Sequence, residues 1–345
     1  MTNSKCVPVS PVSAVNPASP VFAGIDVGAS ELVLVIRRDG VSMKAQSFDN
    51  TPAERQRLLK RLAKFPGLTV CLEATGVYYL DLALALHDAG IRFSVLNPKA
   101  SHNFAKVLLR ASKTDPVDAD TLAQYAERMP CQAWVRPSDH ALALRALARR
   151  IQAVTHNKAA AKNQLHALSF SADTPAAVLR DVTLSISQME QRIAQLTQDA
   201  VGFIQAQPVL ARQFALLQTM KGVGQTSAIA LLGELLLLPP GLSHKQWVKA
   251  AGLDPREFTS GTSVHKRARL SKAGNRYIRM ALYMPALSAK AHDPYVKGFF
   301  EHLIDLGKTP LQALCAVMRK LLHAMHGMLT QDKPFDNTRF YALPI

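Results

Sequence analysis

From Val21 onward, three segments with strand character follow one another almost without interruption: "VFAGIDVG", "ELVLVIRRDG" and "VSMKAQSFDN". The Asp-Gly of "RDG" punctuates a turn between the second and third. Periodicity then predicts a helix from about Pro52 to Lys64, the short strand "LTVCLEA", a helix near Tyr79 to Ala89, the strand "IRFSVLNP" and a helix opened by "TDPVDA". Three strands followed by alternating helix and strand suit an α/β layer with a mixed sheet.

The rest of the chain is governed by other patterns. With 345 residues, 48% of them apolar, it is long enough for two or three domains, each with its own core. Forty-one Lys and Arg against 25 acids leave a net charge of +16, the sign that serves a polyanion, and nucleic acid is the expected one. No apolar run approaches the roughly 20 residues of a membrane span. The most apolar stretch, "ALLGELLLLPPGL", is interrupted by Glu234 and ends in Pro239 and Pro240. Cysteines at 6, 71, 131 and 315 are too scattered for a disulfide framework or a zinc site, and the Ser- and Pro-rich residues 1–20 lack a signal-type apolar core. A cytoplasmic chain with a disordered tail is expected.

Between Ala141 and Phe203 the apolar step becomes three and four. Leu144, Leu147, Ile151, Val154, Lys158, Ala161, Leu165 and Leu168 mark one long helix; Leu179, Val182, Ile186, Met189, Ile193, Leu196, Ala200 and Phe203 mark a second. The joining "SFSADTPAA" suits a reversal, so the pair either closes on itself as an antiparallel coiled coil or pairs with a second chain. The first helix carries Arg145, Arg149, Arg150, Lys158 and Lys162 with no acid between His140 and Ala172, a surface suited to phosphates. Further on, "LLQTMKGVGQTSAIALLGEL" has helical periodicity on both sides of Gly222 and Gly224, as in a helix-hairpin-helix that offers backbone N–H groups to an anion.

Four acids stand out against this basic background. Asp115 and Asp118 share one face of a helix that Pro116 opens, where a helix N-terminus alone would favour them by roughly 0.3–1 kcal/mol each. Asp120 falls on another face and is expected in solvent. Asp26 lies inside an apolar strand and Glu73 ends another; buried acids demand a cation or a hydrogen-bond network. In ribonuclease-H-like folds, which share this element order, the first and fourth strands are neighbours and the last helix crosses near their ends. There the four acids would converge, in a set able to hold two Mg²⁺ ions.

Near the other end, from Phe258 to His292, no acid occurs, while Lys266, Arg267, Arg269, Lys272, Arg276, Arg279 and Lys290 do, which marks a polyanion site. Ser260 precedes Gly261 in an expected loop; Ser263 and Ser271 compete with it, and composition alone does not choose a nucleophile.

Taken together, "GIDVG", "LEATG", "KTDPVDA" and "GLDP…SG…SKAGNRYIR" resemble the DEDD-type insertion-sequence transposases, relatives of the Piv-type DNA invertases. The resemblance spans Val21 to about residue 330. It implies a RuvC-like catalytic domain (21–130, after the tail 1–20), a coiled-coil region (131–208) and a mainly helical C-terminal transposase domain (209–345) that supplies a catalytic serine, by position Ser260. It further implies divalent metals held by Asp26, Glu73, Asp115 and Asp118, and a covalent phosphoserine link to DNA. In some relatives an RNA from the element's noncoding end guides the reaction, and the family's oligomers, up to a tetramer, combine domains of different subunits. Such an enzyme would work at the bacterial nucleoid. A RuvC-like nuclease or junction resolvase using activated water is the alternative. The chain departs from many relatives in "GASE", where a lysine is usual soon after the first aspartate.

Overall fold

The computed structural model of the protein describes residues 19–343 apart from 111, 113, 262 and 263; of Ser260 and residues 264–267 it describes the backbone alone. The expected disordered tail, but for residues 19 and 20, and Ser263 lie outside the described residues. The chain forms two compact units, Met1–Arg136 and Pro137–Ile345.

In the first unit, strands β1 (Val21–Val27) and β2 (Glu31–Arg38) pair antiparallel with Val21 opposite Arg38. Asp39 and Gly40 both take positive φ, 51° and 76°, the geometry of a two-residue hairpin turn. The expected third strand is two short pieces, β3 (Val41–Ser42) and β4 (Gln46–Asp49), both paired with β2. Arg37 faces Ser42 but Leu34 faces Gln46, so one extra residue has been inserted and the strand breaks at a bulge. Helix α1 (Pro52–Leu62), β5 (Thr69–Glu73), α2 (Leu80–Asp88) and β6 (Arg92–Leu96) follow near their expected places. Sheet order is β3-β2-β1-β5-β6, with β1, β5 and β6 parallel, so the first strand and the strand bearing Glu73 are neighbours.

Alternate side chains of the sheet serve two layers. Ala23, Ile25, Val27, Leu32 and Leu34 pack on one face with Leu58, Leu62, Leu82 and Leu86 of α1 and α2. On the other face, α4 (Asp115–Arg128) places Ala119 and Ala123 against Val33 and Val35. A further helix, α3 (Pro98–Val107), was not anticipated, although Asn97 caps it by accepting from the Lys99 N–H at 2.9 Å and Pro98 opens it.

The second unit begins with two long helices, α5 (Asp139–Ser169) and α6 (Ala176–Gln205), joined by a short loop and packed along each other. Then come α7 (Pro208–Gln218), α8 (Gln225–Leu235) and α9 (His244–Ala251), the β-hairpin β7 (Pro255–Ser260) and β8 (Val264–Leu270), and α10 (Arg276–His292), α11 (Pro294–Asp305) and α12 (Pro310–Gln331). Leu144, Ile151, Ala200 and Ile204 share one core with Leu217, Leu231, Ile278, Leu282 and Leu322, so the boundary expected at 208 falls inside a continuous core. Among the described residues no helix is long and apolar enough to cross a membrane.

Candidate active site and basic surface

Gly24 determines how α4 meets the sheet. A Cβ at this position would lie 2.0 Å from the Ala119 carbonyl oxygen, 2.3 Å from the Ala123 amide nitrogen and 2.8 Å from Leu122 Cβ, so the helix backbone rests directly on β1. Asp26 lies two residues further along the same strand face, and Asp115 and Asp118 occupy the first turn of the helix that touches it. Glu73 ends the adjacent parallel strand and accepts a hydrogen bond from Ser101 Oγ of α3, a buried hydroxyl.

The four acids therefore share one electrostatic neighbourhood. Burial first, and with it the charges of Asp115, Asp118 and Glu73, raise the Asp26 carboxyl to about 6, against a lowering hydrogen bond from the Val27 backbone. Asp26 and Asp118 are half-buried and Asp115 is exposed, so the group opens to solvent on one side. Hard oxygen donors held together against their own repulsion suit a divalent cation such as Mg²⁺. Among the described residues no three His, Cys, Asp or Glu side chains already stand arranged to hold an ion, so the set would have to tighten around one.

Asp120 corrects an expectation. Instead of facing solvent it accepts from Ser42 Oγ, from the Arg110 guanidinium and, at 2.8 Å, from Gln124 Nε2, joining α4 to β3 on the side away from Asp118. Its role is structural.

The basic residues of the second unit divide into those committed to the fold and those facing out. Arg149 belongs to the first group: its guanidinium meets the buried Glu234 carboxylate at 2.6 and 3.1 Å and lies 4.1 Å from the centre of the Tyr277 ring. Glu234 also accepts from Asn275 Nδ2 at 2.6 Å, and Asn275 Oδ1 caps α10 by accepting from the Tyr277 N–H at 2.8 Å. One buried acid thus ties α5, α8 and the start of α10 together. Arg279 is similarly occupied, donating to the Ala251 carbonyl at 2.7 Å and the Gly274 carbonyl at 3.1 Å, and burial lowers its pKa. Lys162 and Lys158 lie 3.1 and 3.6 Å from Glu190 of α6, so the second helix partly balances the one-signed run of the first.

Facing out are Arg269, Lys272 and Arg276, while Arg145 is half-buried beside Gly233 of α8. Lys266 and Arg267 lie on β8, and their side chains are outside the described residues. Gly222 takes φ +90°, and a Cβ there would lie 2.6 Å from the Pro285 carbonyl oxygen; close packing on α10 is reason enough for a glycine. Gly224 is the N-cap of α8 with open space around it.

Ser260 is not in a loop. It is the last residue of β7, its backbone opposite Val264, and it is followed by Gly261 at φ +55° in the turn. The base of this hairpin is clasped: Ser271 Oγ donates to Asp254 Oδ1, the Ser271 N–H donates to the Asp254 carbonyl at 2.9 Å, and Gly274 sits where a Cβ would lie 2.3 Å from the Ala250 carbonyl oxygen. Ser271, a competing nucleophile on sequence grounds, is therefore a clasp residue. Much of "SKAGNRYIR" builds the support of the hairpin, which its basic composition concealed.

Two family models cover most of the chain. One, a DEDD model described as "Transposase", matches residues 23–168; the other, described as "Transposase IS116/IS110/IS902 family", matches residues 214–301. The chain is 31% identical to the pilin gene-inverting protein of Moraxella bovis over 277 residues, covering 78% of this chain and 82% of that protein. It is 30% identical over 129 residues to an uncharacterized 43.6 kDa protein of insertion element IS110 from Streptomyces coelicolor, covering 36% of this chain and 31% of that one. Among solved structures, Thermus thermophilus RuvC is similar over 33% of this chain and 99% of its own, at 17% identity and a TM-score of 0.26. RuvC of T. thermophilus in complex with a Holliday junction substrate is similar over 33% of this chain and 98% of its own, at 16% identity and a TM-score of 0.25. The chain belongs to the IS116/IS110/IS902 family of transposases and is a DNA recombinase.

Proposed function

We propose that this recombinase cuts and rejoins DNA through a phosphoserine formed on Ser260, assisted by Asp26, Glu73, Asp115 and Asp118 holding divalent metal, expected to be two Mg²⁺ ions. The observation that carries this reading is the convergence on Asp26, whose carboxyl is raised to about 6 by burial and by three acids from two other segments of the chain. Held there, the ions would neutralise charge developing on the attacking and leaving oxygens of the phosphodiester.

The chain's own residues supply the rest. The Ser260 hydroxyl attacks the scissile phosphorus and its proton passes to solvent; a new oxygen–phosphorus bond forms as the bond to the departing sugar oxygen breaks, and that oxygen takes up a proton from solvent. Rejoining reverses these bonds when a sugar hydroxyl of the second DNA attacks the phosphoserine. Ser260 at the edge of a turn, on a hairpin clasped at its base by Asp254 and Ser271, suits a nucleophile that must reach a duplex.

Arg145, Lys158, Lys162, Arg269, Lys272 and Arg276, with Lys266 and Arg267, would line the backbone of DNA or of a guide RNA from the element's noncoding end. The N-cap at Gly224, on a turn shaped by Gly222, would add phosphate contacts in the manner of a helix-hairpin-helix. The paired long helices α5 and α6, read as a coiled coil, fit a protein that works as a dimer to tetramer, with carboxylates and serine drawn from the same or different subunits. DNA inversion, the activity named for the Moraxella relative, is one outcome such chemistry allows.

The test is a denaturing gel of the full chain with Mg²⁺, labelled DNA carrying the element's end junction, and RNA transcribed from its flanks. A covalent protein–DNA band that disappears in Ser260→Ala and in Asp26→Asn supports the reading. Cleaved free ends that persist in Ser260→Ala would replace it with hydrolysis by activated water.

A further inference from the structure

Cys71 and Cys131 are 60 residues apart in sequence, yet their sulfur atoms lie 3.2 Å from each other. The sequence gives no hint of this, since neither cysteine has a neighbour at motif spacing. Cys71 is fully buried at the centre of β5, two residues before Glu73; Cys131 is half-buried in the segment that follows α4 and leaves the first unit. That segment is fastened to β6 by Ser94 Oγ, which donates to the Gln132 carbonyl, and by the Trp134 N–H, which donates to the Phe93 carbonyl at 3.0 Å. The two sulfurs meet only through tertiary structure, and that of Cys131 belongs to a half-buried residue.

We infer that Cys71 and Cys131 are a redox-active dithiol, a modification site whose disulfide would staple the exit segment of the first unit to the strand that carries Glu73.

The surroundings favour this chemistry. The hydrogen bond it shares with Cys71 holds the Cys131 thiol below its usual range, with the Arg92 guanidinium adding a favourable charge. The hydroxyl of Ser94 has its one proton committed to Gln132, so Cys71 and Arg92 are the groups that stabilise a Cys131 thiolate. A low-molecular-weight disulfide such as glutathione disulfide is a sufficient oxidant. The Cys131 thiolate attacks one of its sulfurs, forming a mixed disulfide and expelling a glutathione thiolate. Cys71 then loses its proton, attacks the Cys131 sulfur and expels the second glutathione. Two protein thiols are oxidised and one disulfide is reduced to two thiols. Closing the bond requires the sulfurs to approach from 3.2 Å to about 2.05 Å, a shift the irregular exit segment can absorb more readily than the central strand.

The experiment is intact-mass analysis of the reduced, full-length chain incubated with glutathione disulfide, followed by non-reducing peptide mapping. The expected product has lost two hydrogens, joins the Cys71 peptide to the Cys131 peptide and reverts with dithiothreitol. Cys71→Ala is expected to retain one glutathione on Cys131, and Cys131→Ser to leave Cys71 unmodified. Mapping of the wild-type chain decides the matter even if a variant folds poorly. Cys71 and Cys131 peptides that stay separate, whether unmodified or carrying glutathione, would overturn the inference.

Discussion

The carbonyl oxygen of Ala119 would lie 2.0 Å from a Cβ on Gly24, so helix α4 and strand β1 touch backbone to backbone. That contact fixes how near the first turn of the helix, with Asp115 and Asp118, comes to Asp26. Gly24→Ala is expected to push the helix away, cost about 1–3 kcal/mol through overpacking, and return the Asp26 carboxyl toward the ordinary range near 3.8. Denaturant unfolding and a carboxyl NMR titration check both. Unchanged stability would mean that the helix does not rest on this glycine.

Asp26 gives a pH dependence of definite sign. Its carboxyl is raised from 3.8 to about 6 in the fold, so the protonated form is favoured there. The stability it contributes is fully present below about pH 4 and is lost as pH rises through about 6. At about 1.4 kcal/mol per pKa unit, discounted for solvent screening of this half-buried carboxyl, the metal-free wild type should be less stable than Asp26→Asn by roughly 1–2 kcal/mol at about pH 8. The gap should close below about pH 4. Unfolding free energies of the two proteins across this range, with chelator present, provide the check.

Charge reversal of roles is testable among the arginines. Arg149→Ala leaves the buried Glu234 carboxylate without its ion-pair partner and is expected to destabilise the protein by about 3–5 kcal/mol. Arg269→Ala and Arg276→Ala, at exposed positions, should leave stability within about 0.5 kcal/mol and lower the salt dependence of DNA binding by about one unit of slope each. Thermal melts and binding isotherms at several salt concentrations separate the two groups.

If Ser260 is the nucleophile, the clasp at the hairpin base is expected to position it. Asp254→Ala removes the acceptor for Ser271 Oγ, and its expected effect is a fall in covalent DNA linkage of about tenfold or more with DNA affinity nearly unchanged. Equal losses of linkage and affinity would indicate a general loss of fold in the second unit.

Much of the candidate site was legible in the sequence because each acid broke a local rule. Asp26 interrupts an apolar strand, Glu73 ends one, and Asp115 and Asp118 concentrate negative charge in a basic chain. The long helices were legible for the same kind of reason: of the positions stepping by three and four, Leu144, Ile151, Val154, Val182, Ile186 and Ala200 are buried and the others are half-buried. What could not be read was tertiary partnership. Arg149 counted as a phosphate contact because its partner, Glu234, lies 85 residues away, and Arg279 because carbonyl acceptors leave no mark in sequence. Gly24 leaves only a faint trace in sequence, a glycine inside a strand that signals a close backbone approach. Asn97 and Pro98 likewise announced α3, but the short segment carried too little apolar periodicity to register.

The most direct measurement is Mn²⁺ binding to the metal-free full chain by isothermal calorimetry and electron paramagnetic resonance, for wild type, Asp26→Asn, Glu73→Gln and Asp118→Asn. If four carboxylates from three segments of the chain make one metal centre, wild type binds with a defined stoichiometry. Each variant should then lose about tenfold or more in affinity while still melting cooperatively. Equal Mn²⁺ affinity in all four proteins would show that these acids are electrostatic neighbours without being a metal centre.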